Sequence, residues 1–332
     1  MFSFHMRKLI GILTGVALCA AACHSDTKPA DTTDTTATAK QVNVNVPVFN
    51  ADSAYAYTDK QVSFGPRIPA TPAQNTCAEW LIAQFKPLAD TLYVQRTNVT
   101  VPGGKSVPCI NVIASFNPDA AQRILLLTHW DTRPHADQDA FDKTKQFDGA
   151  DDGASGVGVL LEVARQLHAQ HPAAGIDILL EDVEDSGVSE DENSYCLGTQ
   201  YWARNPHVKG YKANYGILLD MVGGRGSQFY MEAGSQQYAY GPMKMFWDVA
   251  NRLGYSDYFR YENTGAAITD DHVYINTIAM IPTFDVIAMQ PSGNFAPHWH
   301  TTNDNMQVID KRTLQVVGQT LLEVIYKQPF EY

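Results

Sequence analysis

Three short apolar runs in this chain each end in residues that can hold a cation. "RILLLTH" (123–129) closes on His129 and continues into Trp130 and Asp131. "GIDILLE" (175–181) breaks into Glu181, Asp182, Glu184 and Asp185, then stops at Gly187. "YGILLD" (215–220) closes on Asp220. Continuous apolar runs of this length fit strands buried on both faces. Between them lie helical patterns, and that alternation demands an α/β fold: three layers, with a central, mostly parallel mixed sheet flanked by helices. In open sheets of this kind, ligands gather outside the carboxyl ends of the strands. One strand ending in a carboxylate is a solvated turn. Three at one sheet edge would form a site.

The remaining segments fit that frame. Residues 77–88, 198–205, 241–254 and 310–327 read as helices, and 110–116 and 280–288 as strands. From 152 to 168, Val157, Leu160, Leu161, Ala164 and Leu167 follow helical spacing. The 332 residues fit one α/β domain preceded by a leader. A net charge of −12 without a basic stripe argues against nucleic acid and anionic surfaces as partners.

The leader is legible by composition. Arg7 and Lys8 precede a short apolar stretch and small residues before Cys23, the pattern of a lipoprotein signal peptide over 1–22. Cys23 would be lipidated. A tether over 23–45, rich in Thr, Asp and Ala, has almost nothing to bury. The folded catalytic domain is expected over 46–332. With these features the protein is expected to be secreted across the inner membrane, as a periplasmic or membrane-anchored lipoprotein. Cys77, Cys109 and Cys196 lack metal or redox spacing and read as buried, inert thiols.

Other motifs carry chemistry. In "HWD", Asp131 is placed to orient the His129 imidazole. In "GADDGASG", Asp151 and Asp152 precede a helix and could cap it. Two aspartates among three glycines also suggest a backbone shaped around a ligand. "APHWHTTND" sets His298, Trp299 and His300 in a loop.

In this order and spacing, "HWD", "GADDGASG", "EDVED", "LLDMVGG" and "HWHTTND" resemble the M28-type zinc aminopeptidase superfamily, from about Phe49 to the end. That superfamily includes di-zinc aminopeptidases and zinc-dependent glutaminyl cyclases. Trp299 before His300, the extra acid Asp270 in "ITDDHVYI", and the strings "SYCLGTQYWA" and "THWDTRP" resemble the cyclases of Bacteroidetes-like bacteria.

The resemblance implies one Zn²⁺ per chain, held by Asp152, Asp185 and His300. It implies Glu184 as general base and acid, with Asp220 and Asp270 as supporting carboxylates. Trp299, Tyr195 and Phe295 would wall the pocket, and the substrates would be peptides or proteins with N-terminal glutamine. Asp185 stands where animal cyclases have glutamate, and Tyr195 replaces a pocket tryptophan of the animal enzymes. The alternatives are a di-zinc aminopeptidase, with His129, Asp152 and Asp220 at a second metal, and a lipid-anchored binding protein that merely keeps the fold.

Overall fold

The structure is a computed structural model that describes residues 44–263, 265, 267–327 and 329–332. The signal peptide, Cys23 and the tether as far as residue 43 lie outside the described residues. Val44 packs against the core, and the Asn45 carbonyl accepts from Gln170 Nε2 at 2.8 Å. The folded body therefore takes in two residues assigned above to the tether.

Helices α1 (Ala51–Val62) and α2 (Pro72–Phe85) lead into a hairpin of β1 (Thr91–Val101) and β2 (Lys105–Phe116). Then follow β3 (Arg123–His129), α3 (Ala154–Ala169), β4 (Gly175–Glu181), α4 (Leu197–Arg204) and β5 (Tyr215–Asp220). The short strands β6 (Phe229–Tyr230) and β7 (Phe259–Arg260) bracket α5 (Ala233–Arg252). The one-turn helix α6 (Asp271–Tyr274), β8 (Thr283–Ile287) and α7 (Lys311–Lys327) complete the chain.

Six strands form the main sheet in the order β1-β2-β4-β3-β5-β8. β2 is antiparallel to both β1 and β4, and the other pairings are parallel. This is the mixed, mostly parallel sheet expected. Side chains alternate between two cores. Ile124, Leu126, Ile178, Leu180, Ile217 and Leu219 enter the larger one. Leu125, Leu127, Leu179 and Leu218 enter the smaller one with Trp202 of α4. With both faces buried, both sets are mostly apolar, which is why the runs read as near-continuous in sequence; the exception in β4, Asp177, is paired with Arg123.

Two elements differ from the sequence reading. β1 was not anticipated, because Val94, Arg96, Asn98 and Thr100 are exposed on this edge strand and leave no apolar run. Helix α5 starts at Ala233 rather than at 241. The backbone leaves the helical region at Ala239 (φ −142°, ψ 38°), so α5 is two helices joined at a kink; Pro242, which lacks an N–H, falls at the start of the second, which is the helix expected from 241.

The register fixes where chemistry can occur. His129 pairs with Glu181, and Asp220 pairs with Ile287 at the end of β5. The three strands β4, β3 and β5, tipped by Glu181, His129 and Asp220, are adjacent, with their carboxyl ends on one edge.

Candidate active site

The acid pair leaves β4 through a strained turn. Val183 is β-branched yet sits at φ 57°, a left-handed conformation that such residues rarely adopt. Asp131 explains how the turn holds: its carboxylate accepts the amides of Glu184 (3.0 Å) and Asp185 (3.4 Å). Asp131 Oδ1 also lies 3.5 Å from His129 Nδ1. The HWD aspartate thus spends its hydrogen bonds on the acid pair's backbone, and the imidazole Nδ1 beside it makes none. Met221 (φ 48°) after Asp220, Cys196 (φ 55°) beside Glu184, and His300 itself (φ 54°) are also left-handed. Strain of this kind gathers at functional sites.

Asp152 is placed by a second buried aspartate. Asp304 accepts the amides of Asp151 (2.8 Å) and Asp152 (3.2 Å). Asp151 accepts from Gly223 N (2.7 Å) and lies 2.8 Å from His298 Nε2. Neither Asp151 nor Asp152 caps α3. Its N-cap is Gly153 at φ 72°, with no side-chain cap. A Cβ there would lie 2.7 Å from His129 Cε1, so glycine lets the turn pass under the imidazole.

The carboxylate of Asp152 is therefore free to face the site. Its Oδ2 is 3.5 Å from His300 Nε2, and Asp185 Oδ2 is 3.4 Å from the same nitrogen. Both oxygens are buried without a hydrogen-bond partner. Unpaired buried carboxylate oxygens are costly, and these converge with an imidazole nitrogen to within 4.8 Å of one another. Two carboxylates and a histidine fit Zn²⁺ with one position left open. His300 Nδ1 lies 3.0 Å from Asp137 Oδ1, the usual way a ligating imidazole is oriented. A second group, His129, Asp152 and Asp220, also converges: His129 Nε2 is 3.0 Å from Asp152 Oδ1 and 3.4 Å from Asp220 Oδ1.

The site opens into a cavity of about 310 Å³ lined by Glu184, Asp220, Asp270, Tyr195, Phe295 and Trp299. The Trp299 ring stacks on His300 at 3.8 Å, and Phe295 packs on Trp299 at 4.5 Å. Burial and the neighbouring Asp185 push Glu184 well above the usual carboxylate range. Burial raises Asp220 to about 6, with Asp152 adding to the rise and His129 opposing it. Burial and then Asp220 raise Asp270 to about 7. A larger cavity of about 470 Å³ lies beyond Arg133, against Ile68, Pro102 and Val188. It lacks the convergent carboxylates.

Residues 111–325 match the model of peptidase family M28. The chain belongs to that family. The Bacteroides thetaiotaomicron glutaminyl cyclase, solved bound to N-acetylhistamine, is 46% identical, with a TM-score of 0.83 over 86% of this chain and 100% of that one. A Zn-dependent exopeptidase from Parabacteroides distasonis is 47% identical, with a TM-score of 0.83 and the same coverages. The curated glutaminyl-peptide cyclotransferase of Bos taurus is 24% identical over 278 residues, 75% of this chain and 71% of that protein.

Within this M28 fold, every site residue named from sequence in the described region lies at the one strand edge or on its cavity. Sequence reasoning missed Asp304, Asp137 and Arg133, although "HTTND" and "THWDTRP" contain the first and the last. It also did not foresee what Cys196 touches. That cysteine is buried as expected, but its thiol donates to Glu184 Oε1 at 3.4 Å. Burial raises the thiol well above its ordinary range, so it stays a neutral donor.

Proposed function

We propose that this chain is a zinc-dependent glutaminyl cyclase, which closes the N-terminal glutamine of peptides and proteins into pyroglutamate with release of ammonia. Asp270 carries the reading. Its buried carboxyl lies within 4.8 Å of Glu184, faces the same aromatic-walled cavity, and is pushed up to about 7. Both peptide hydrolysis and ring closure expel an amide nitrogen; what ring closure adds is a γ-carboxamide folded back beside its own α-amine in a pocket that keeps water out, and a third carboxyl among Trp299, Phe295 and Tyr195 suits that demand.

Asp152, Asp185 and His300 would hold one Zn²⁺, which when bound supplies Lewis acidity to the γ-carboxamide oxygen. Glu184 takes a proton from the α-amine as that nitrogen bonds to the side-chain carbonyl carbon. It returns the proton to the amide nitrogen as the old C–N bond breaks and ammonia leaves. Asp220 and Asp270 exchange protons near neutral pH and accept from the leaving nitrogen. Trp299, Phe295 and Tyr195 hold the methylenes folded back, so that ring closure is favoured and water, which would give glutamate, is excluded. His129 sits beside Asp152 and Asp220, its Nε2 3.0 and 3.4 Å from their Oδ1 atoms, and in this reading stays off the metal.

A second reading, a di-zinc aminopeptidase, has one observation in its favour: the convergence of His129, Asp152 and Asp220. Glutamine- and leucine-naphthylamide, each with and without a chelator, separate the two. Chelator-sensitive ammonia release from the glutamine substrate supports the cyclase, and leucine cleavage without ammonia release overturns it.

The location follows from the leader. Among the described residues no helix is long and apolar enough to cross a membrane. The proposed attachment is a lipid on Cys23, with no nucleic-acid partner. Wild-type processing and membrane retention of Cys23→Ala would refute the anchor.

A further inference from the structure

We propose that Arg133 is a positioning residue that binds two of the three zinc ligands into one closed ring. The inference rests on the assignment of Asp152, Asp185 and His300 to the metal. Arg133 comes from "THWDTRP", and its side chain is 12% exposed. Nη1 donates to Asp185 Oδ1 at 3.1 Å and to the Asp185 carbonyl at 3.2 Å. Nε and Nη2 both donate to Asp137 Oδ2, at 2.9 and 2.6 Å. The other oxygen of Asp137 lies 3.0 Å from His300 Nδ1. One guanidinium thus reaches Asp185 directly and His300 through Asp137.

The consequence is geometric. An aspartate has one methylene fewer than a glutamate and less freedom to swing its carboxylate to a fixed point. With Oδ1 taken by Arg133, Asp185 has Oδ2 left for the metal. That is the oxygen found buried, unpartnered and 3.4 Å from His300 Nε2. Asp137 holds the opposite ring nitrogen of His300, so Nε2 points at the same place. Nη1 also donates to the Gly187 carbonyl at 3.3 Å, which pins the chain just after the ligand. The guanidinium carbon lies 5.7 Å from the centre of the Tyr195 ring, so the pocket wall leans on the same cation. Lysine cannot replace this arrangement. Its single ammonium is a point charge without a fork to serve two carboxylates in fixed directions.

Zinc affinity tests the ring without substrate, so the result stands apart from the fate of the cyclase reading. The full chain, stripped of metal, is titrated with Zn²⁺ against a chelator of known affinity, and its apo melting temperature is recorded. Arg133→Met and Asp137→Asn are each expected to weaken Zn²⁺ binding about 10- to 100-fold, the range for residues that orient metal ligands. Arg133→Lys should recover only part of that loss. The double variant Arg133→Met/Asp137→Asn should lose less than the product of the two single losses, because one route of Arg133 runs through Asp137. Multiplicative losses, or a folded Arg133→Met chain with wild-type affinity, overturn the proposal. If Arg133→Met fails to fold, Arg133→Lys decides: affinity within twofold of wild type refutes the ring.

Discussion

Asp131 holds Glu184 by its backbone rather than its side chain. The Asp131 carboxylate, fully buried at the end of β3, accepts the Glu184 amide at 3.0 Å and the amide of Asp185 at 3.4 Å. Asp131→Ala leaves those amides without an acceptor, a loss of about 1–3 kcal/mol for a buried group left unpaired. It also frees the strained turn at Val183. We expect lower stability in urea and a kcat at least tenfold lower, with Asp131→Asn intermediate because one acceptor oxygen survives. Wild-type kcat in Asp131→Ala would show that the turn holds itself.

The proposed reaction gives the neighbours Glu184 and Asp185 different tasks. Glu184→Gln is expected to abolish ammonia release and keep zinc, whereas Asp185→Ala should lose the metal. Wild-type protein purified without chelator should carry one zinc per chain, since a metal on His129, Asp152 and Asp220 would tie up a carboxylate needed for proton exchange. Elemental analysis of the three proteins checks this. Equal zinc loss in both variants would mean the pair is assigned wrongly, and two zincs in wild type would favour the aminopeptidase.

Gly153 is a contact point between the Asp152 turn and His129. At φ 72°, with a Cβ required 2.7 Å from His129 Cε1 and 2.8 Å from Nδ1, alanine is strained twice over. Gly153→Ala should cost about 1–3 kcal/mol of stability and displace the imidazole. A melting curve together with steady-state kinetics tests both effects. An unchanged melting temperature would contradict this account of the turn.

Glu232 gives the fold a pH signature away from the zinc ligands. It caps α5 by accepting the amides of Gly234 (2.6 Å) and Ser235 (2.5 Å), and it lies 3.5 Å from His272 Nε2. Burial opposes its charge, but His272 and the two amides outweigh burial and hold Glu232 at about 2, below its unfolded value of 4.5. A depressed acid stabilises the fold fully above the unfolded value, and that contribution is lost as pH falls toward 2. Urea unfolding of wild type and Glu232→Gln should therefore differ most above pH ~5 and converge as pH falls through that window. A gap independent of pH would assign the stabilisation to the cap geometry alone.

The sequence alone determined the layered fold and the chemical character of the site. Both are encoded locally: strands buried on two faces are near-continuously apolar, and a cluster of polar residues that ends such a run marks the sheet edge. "RILLLTH", "GIDILLE" and "YGILLD" carried that information whole. Tertiary structure alone decided which polar groups face the cavity and which support them. Asp131 read as a support for His129 and Asp304 gave no reading at all, yet both spend their oxygens on backbone amides 53–54 and 152–153 residues away in the chain. Arg133 and Asp137 gave no signal, because an ion pair four residues apart in a loop acquires meaning only when His300, 163 residues on, arrives beside it. Cys196 was legible as a buried thiol but its contact with Glu184 was not, for the same reason: Glu184 reaches it only through the left-handed turn before α4. Periodicity records burial, which is a property of each segment. Hydrogen-bond partnership across long separations is a property of the packed whole, and no local pattern specifies it.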